Sequence, residues 1–210
     1  MYEIPDSYSE KIVNRSTRHF ILGALARVRR YITFVLSRRI AQKKGAIVGE
    51  GACFFKGFAK QVGPKIKIGN HVSINTSCRL SSSRYNLSIG NNVIIGSNVN
   101  IILGSHNIDS AQWEHVRKND GLEIDDYVWI CPHSIILPSC KKIGRGAVIG
   151  AGSVVASDVE PMAIVGGNPA IELRKRKTVH SDLCVESLLG GDLKLYLACK
   201  RKSTNSKKKQ

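Results

Sequence analysis

An aliphatic residue recurs at every sixth position through the middle of this chain, and no other feature limits its fold so tightly. Ile68, Ile74 and Leu80 form one series, and Ile89, Ile95 and Ile101 a second. Ile124, Ile130 and Ile136 form a third, continued after one extra residue by Ile143, Ile149 and Val155. Val48-Gly49 is an earlier, weaker start. Four positions after these aliphatics stand small or apolar residues: Val72, Cys78, Val93, Val99, Val128, Ser134, Cys140, Ala147 and Ser153. A period of six suits neither an amphipathic helix nor a simple alternating strand. It suits coils of three short strands, about 18 residues each, with Gly, Asn or Asp turning the corners at positive φ. The aliphatics then fill a triangular core, and the position four later must be small and inward. Residues from about Val48 to Ala170 therefore read as a parallel β-helix. In this phase Cys78 and Cys140 are packing residues, and Trp129 faces outward.

Two interruptions break the period. Ile101 and Ile124 lie 23 residues apart, five more than one coil, so 103–123 must leave the scaffold as a loop. Long excursions from rigid scaffolds are where function concentrates. The extra residue at Lys141-Lys142 reads as a local corner bulge.

The formal charge of +16 is spread unevenly. Residues 1–45 carry ten Lys/Arg against three Asp/Glu, and 171–210 carry eleven against four, so each arm is +7 while 46–170 is only +2. This divides the chain into a basic N-terminal arm (1–45), the repeat body (46–170) and a basic C-terminal extension with its tail (171–210). In the first arm, Arg18 to Ile40 reads as a helix with Ile21, Leu25, Val28, Ile32 and Val35 or Leu36 on one face. Arg27, Arg30 and Arg38 fall on the other side. Two readings stay open: the stripe packs on the coil or a neighbouring subunit, or it lies on an anionic membrane. In the last arm, Ser181 to Leu189 and Asp192 to Lys200 read as two short helices, followed by a disordered tail. No zinc spacing or aromatic sheet signature accompanies the basic residues, so nucleic acid is not an expected partner. The six cysteines form no CxxC pair, MYEIPDSYSE is no signal peptide, and no apolar run would span a bilayer. The expectation is a cytoplasmic protein with reduced thiols.

Five segments carry a resemblance when taken together: GSHNID (104–109), DDYVWI (125–130), ILPSCKKIG (136–144), AVIGAGSVVASDV (147–159) and GGNPA (166–170). They resemble the hexapeptide-repeat acyltransferases of the sugar O-acetyltransferase type, the group that includes galactoside and maltose acetyltransferases and glycan-modifying relatives. The resemblance implies a left-handed coil, a homotrimer with active sites between neighbours, acetyl-CoA as co-substrate and no metal. His106 stands where that family has its general base, and an alcohol does need a group titrating near neutrality to take its proton. Trp129 matches the Trp beside the reaction centre, against the pantetheine arm or the acceptor. Asn75 matches a sugar-binding Asn. Ser134, Ala151, Gly152, Ser157 and Arg174 fall at cofactor-contacting places. His71, His133 and His115 read as surface or acceptor-rim residues.

The sequence also departs from that pattern. Ala156-Ser157 replaces a Thr-Lys pair, and Lys175, Arg176 and Lys177 are the candidate substitutes for the lost charge. Pro132 stands where relatives offer an N–H to the thioester oxyanion, and proline has none. The His133 N–H, the Ser134 hydroxyl or the Cys131 N–H would have to serve, unless the register differs by one. Arg84 lies near the place of an acidic residue found in galactoside-acting relatives. The expected function is acetyl-CoA-dependent O-acetylation of a sugar hydroxyl in bacterial surface polysaccharide biosynthesis, in the cytoplasm or peripherally on the inner face of the membrane. The alternatives are N-acetylation of an amino sugar, a non-catalytic scaffold, and a γ-type carbonic anhydrase-like metalloenzyme, whose HxxxxH pair is absent.

Overall fold

The computed structural model describes residues 5–82, 84–115 and 121–207, with side chains as far as Lys200. Two helices come first, α1 (Asp6–Val13) and α2 (Thr17–Lys43). The Ser16 hydroxyl caps α2 by accepting the His19 N–H at 3.4 Å, and Gly45 ends it at φ +90°. The coils follow, two-residue strand by two-residue strand. The first has β1 (Ile47–Val48) and β2 (Cys53–Phe54), with the short helix α3 (Lys56–Ala59) in place of a third strand. The second has β3 (Ile66–Ile68), β4 (Ser73–Ile74) and β5 (Arg79–Leu80); the third has β6 (Leu87–Ile89), β7 (Ile94–Ile95) and β8 (Asn100–Ile101). The fourth has β9 (Leu122–Ile124), β10 (Trp129–Ile130) and β11 (Ile135–Ile136); the fifth has β12 (Lys142–Ile143), β13 (Val148–Ile149) and β14 (Val154–Val155). A hairpin of β15 (Ala163–Gly167) and β16 (Ala170–Lys175) ends the stack, and α4 (Leu193–Lys207) closes the chain.

The strands build three sheets, β1-β3-β6-β9-β12, β2-β4-β7-β10-β13-β15-β16 and β5-β8-β11-β14. Among the described residues, every pairing of these strands is parallel except β15 with β16. Coils therefore sit directly over one another, and the same inward positions form continuous columns. Ile68, Ile74, Ile95, Ile101, Ile124, Ile130, Ile136, Ile143 and Ile149 are all buried, as are the small residues four positions on, including Cys78 and Cys140. Phe54, Phe58, Ala59 and Val62 cover the open end of the core beneath the second coil.

The corners differ from the sequence expectation. The left-handed residue is Asn at 92 and 98, but it is His at 71 and 133, Ser at 77, Tyr at 127 and Met at 162. The ladder on either side holds these residues at positive φ, at a cost of about 1–2 kcal/mol each. The glycines that follow the aliphatics serve a different purpose. A Cβ on Gly69 would lie 2.5 Å from the Gly90 carbonyl oxygen, and one on Gly96 would lie 2.6 Å from the Pro132 nitrogen. They are needed because the next coil passes too close for a side chain. The extra residue at Lys141-Lys142 is accommodated by Asp158, whose carboxylate accepts both backbone N–H groups at 2.5 and 2.9 Å.

The arms also differ in detail. The segment expected as a helix from Ser181 to Leu189 is mostly irregular, with one 3-10 turn at Val185–Leu188. The last helix runs to Lys207, beyond the expected end at Lys200. Together α1, α2 and α4 enclose a second small core of Tyr8, Ile12, Tyr196, Cys184 and Cys199, with Phe20 stacked on Tyr196 at 4.8 Å. The buried Asp192 carboxylate ties this bundle by accepting from the Tyr8 hydroxyl and from Arg27 Nε at 2.9 Å.

Between β16 and α4 the chain runs back along one corner of the coil. Arg176 donates to the carbonyls of Gly146 and Tyr127 at 3.1 and 3.3 Å. Nε2 of His180 donates to the Asn92 carbonyl at 2.7 Å. His71 Nδ1 pairs with the buried Glu186 at 2.5 Å. The strap thus touches the fifth, fourth, third and second coils in turn. Arg176 is committed here and is no substitute for the lost cofactor charge. His71 is likewise a structural clasp, not a rim residue.

The inward and outward phases make a direct test. Ile124→Ala should lower unfolding stability by about 2–5 kcal/mol in urea titrations. Its neighbour Glu123→Ala, exposed and paired to Lys142 at 3.5 Å, should cost under about 1 kcal/mol. Equal losses would contradict the assigned phase.

Candidate active site

The loop after β8 rises as a small finger. Asn107 N–H donates to the Glu114 carbonyl at 2.7 Å, and His106 and His115 face each other in an antiparallel bridge with ring centroids 4.2 Å apart. Residues 116–120 of the expected loop lie outside the described residues. The decisive contact is His106 Nδ1 with the Trp113 carbonyl at 2.5 Å. A carbonyl only accepts, so Nδ1 carries the proton, and the neutral ring presents the lone pair of Nε2. A bond that fixes tautomer and ring orientation is what a general base requires.

His106 borders an open cleft together with Ser81, Ser82, Arg84, Tyr85, Gly104 and His115. The serines and Tyr85 were missed in the sequence. Their signal is a second break in period, since Leu80 and Ile89 lie nine residues apart instead of six. Ser81, Ser82, Arg84 and Tyr85 from this stretch line the cleft with His106.

The other candidates are distributed over different parts of the coil. Trp129 projects outward from the middle of the seven-stranded sheet, 42% exposed, in register with Ile94 and Val148. Asn75, Pro132, Ala151 and Gly152 lie along a neighbouring corner, where Gly152 N–H donates to the Pro132 carbonyl at 3.0 Å. Ser157 lies past β14 at the corner from which the His106 finger also departs, and Arg174 is exposed on β16. The His106 loop leaves β8 of the four-stranded sheet, whereas Trp129 lies on β10 of the seven-stranded one.

The structure corrects the substitutes considered for the missing Pro132 N–H. The Ser134 hydroxyl is buried and lies within hydrogen-bonding distance of the Cys131 and Gly150 carbonyls, at 2.8 and 3.0 Å, so it faces the core. The Cys131 N–H is used by the Ile149 carbonyl at 2.9 Å, and the His133 N–H by the Ser97 carbonyl at 3.0 Å. The ladder claims both N–H groups, and the hydroxyl is turned to carbonyls inside the coil. Among the described residues, the exposed Ala151 N–H makes no hydrogen bond. Burial pushes the Cys140 thiol up to about 12 and Cys78 to about 11, and raises Cys131 as well. These thiols stay protonated and are poor nucleophiles. Among the described residues, no three His, Cys, Asp or Glu side chains are placed to hold a metal ion.

Comparison with known proteins follows the same lines. No protein-family model matches the chain. The galactoside O-acetyltransferase of Escherichia coli K12 is 32% identical over 135 residues, 62% of this chain and 64% of that protein. A chloramphenicol acetyltransferase of Klebsiella aerogenes is 46% identical over 69 residues, 33% of this chain and 32% of that protein. The chain thus spans less than two thirds of the length of either relative. Among solved structures, a hexapeptide-repeat acetyltransferase of Vibrio cholerae superposes with a TM-score of 0.60 at 26% identity, covering 81% of this chain and 93% of that one. The same Vibrio protein complexed with acetyl-CoA gives 0.52 at 25% identity. In sequence and in fold the chain is similar to sugar O-acetyltransferases and to a hexapeptide-repeat acetyltransferase.

The buried Ser134 hydroxyl makes a clear expectation. Ser134→Ala should cost about 1 kcal/mol of stability, as for one lost hydrogen bond, and leave acetyl-CoA affinity unchanged by calorimetry. A drop in affinity with stability intact would return Ser134 to the cofactor contacts.

Proposed function

We propose that this chain is an acetyl-CoA-dependent O-acetyltransferase acting on a sugar hydroxyl, with His106 as general base. The observation that carries the reading is the His106–Trp113 hydrogen bond, which leaves Nε2 as the basic nitrogen beside a polar cleft. His106 Nε2 takes the hydroxyl proton as the oxygen attacks the thioester carbonyl. The tetrahedral intermediate expels the CoA thiolate, and His106 returns the proton to its sulfur. The high thiol pKa values support direct transfer without an acyl-cysteine. Alignment of the two substrates contributes the larger part of the rate.

The Ala151 N–H is the donor best suited to hold the oxyanion in place of Pro132. Ala151, Gly152, Ser157 and Arg174 contact the cofactor, Trp129 lies against pantetheine or acceptor, and Asn75 contributes to the acceptor side. The separation of Trp129 from His106 within one chain supports a homotrimer in which neighbours complete each site across the flat faces of a left-handed coil. The domains are the helical arm 1–45, the transferase coil 46–170 and the extension 171–210. The Ser81, Ser82, Arg84 and Tyr85 rim suits a polyhydroxyl acceptor, and surface polysaccharide biosynthesis in the cytoplasm fits such a substrate. The match to a chloramphenicol acetyltransferase favours one second reading, a non-sugar hydroxyl acceptor on the same machinery.

The test is release of CoA thiol from acetyl-CoA across a panel of glycosides, amino sugars and chloramphenicol. Turnover with a glycoside is expected, with His106→Ala reducing kcat by about 10²–10⁴-fold while acetyl-CoA still binds. Retention of half the activity in that variant would remove His106 from the chemistry. Light scattering should give three chains per particle, and an active monomer would overturn the shared site.

A further inference from the structure

The face of α2 opposite the coil is apolar as well. Phe34, Ser37 and Ala41 are buried on the inner side, and Arg27 on that side is held by Asp192. The stripe Ile21, Leu25, Val28, Ile32 and Leu36, with Leu22 beside it, points away from the coil and is 41–63% exposed. The reading in which this stripe packs on its own coil is therefore wrong. The inner face is already committed, because Tyr196 crowds Gly23, and Phe34 meets Phe55 edge-on at 5.3 Å. The helix cannot roll to cover the stripe without breaking that second core.

We infer that this outer face of α2 is a docking surface for an anionic lipid bilayer. The stripe runs about 22 Å along the helix from Ile21 to Leu36, at 1.5 Å per residue. Arg18, Arg29, Arg39 and Lys43, all exposed, share or border it at helical spacing. From Thr17 to Lys43 there is no Asp or Glu at all. A bilayer surface meets both features at once, since the aliphatics enter the acyl boundary while the long basic side chains reach up to the phosphates. A second copy of the helix meets only one. It would cover the stripe but set arginines against arginines with no acidic partner in the helix. No described helix is long and apolar enough to cross a membrane, so α2 lies on the surface. This inference is independent of the transfer reaction.

The test is co-sedimentation of the full chain with phosphatidylcholine vesicles, with and without phosphatidylglycerol, at low and high salt. Binding should require the anionic lipid and weaken as salt screens it. Two variants separate the contributions: Leu25→Glu with Ile32→Glu on the stripe, and Arg29→Glu with Arg39→Glu beside it. All four positions are solvent-exposed, so folding and acetyl-CoA binding should persist. Each pair should lower partitioning about tenfold or more, since each basic residue near the surface contributes about fivefold. Failure to bind anionic vesicles at low salt would overturn the proposal, as would equal binding by wild type and both variants. A change in particle mass on Leu25→Glu with Ile32→Glu would also overturn it, by assigning the stripe to contacts between copies.

Discussion

Everything in the repeat body depends on backbone hydrogen bonds that run from one coil to the next. At one corner Gly49 N–H donates to Ile68, Gly69 to Ile89, Gly90 to Ile124 and Asp125 to Ile143, each between 2.7 and 2.9 Å. These bonds make the coils nearly identical in shape, and that sameness lets isoleucines stack in columns. They also decide what remains for chemistry. A backbone N–H on this scaffold is a ladder donor unless its corner geometry frees it, and the Cys131 and His133 N–H groups beside Pro132 are both taken.

Much of this architecture was legible in the sequence, because its physics is local and periodic. Ile124, Ile130 and Ile136 announce their own burial, and Trp129 its exposure, by phase alone. The corner residues were not legible in the same way. His71, Tyr127, His133 and Met162 take a conformation that their own propensities disfavour, and only the stacked neighbours impose it. The strap was also hidden, since Arg176, His180 and Glu186 find carbonyls and a histidine far away in sequence, with no repeat to advertise them.

The candidate site was partly legible for a related reason. His106 could be found because it opens an obvious excursion from the period. What orients it, the Trp113 carbonyl, is a backbone group seven residues on and leaves no mark in residue type. Ser134 has a hydroxyl that its inward phase already pointed to the core. Where motif and phase disagree on this scaffold, phase describes the side chain better.

The strap alters how the molecule holds together. A plain solenoid is a row of nearest-neighbour contacts, able to fray coil by coil from either end. Here Arg176, His180 and Glu186 join the last coils back to the first ones, and the helices beyond lock onto the opening segment through Asp192. An end coil that opens must strip away contacts on several others, which turns a zipper into a loop closed on itself. Such a chain lacks a weak terminus: the coils are expected to lose order together, with amide protection nearly uniform from the first coil to the fifth.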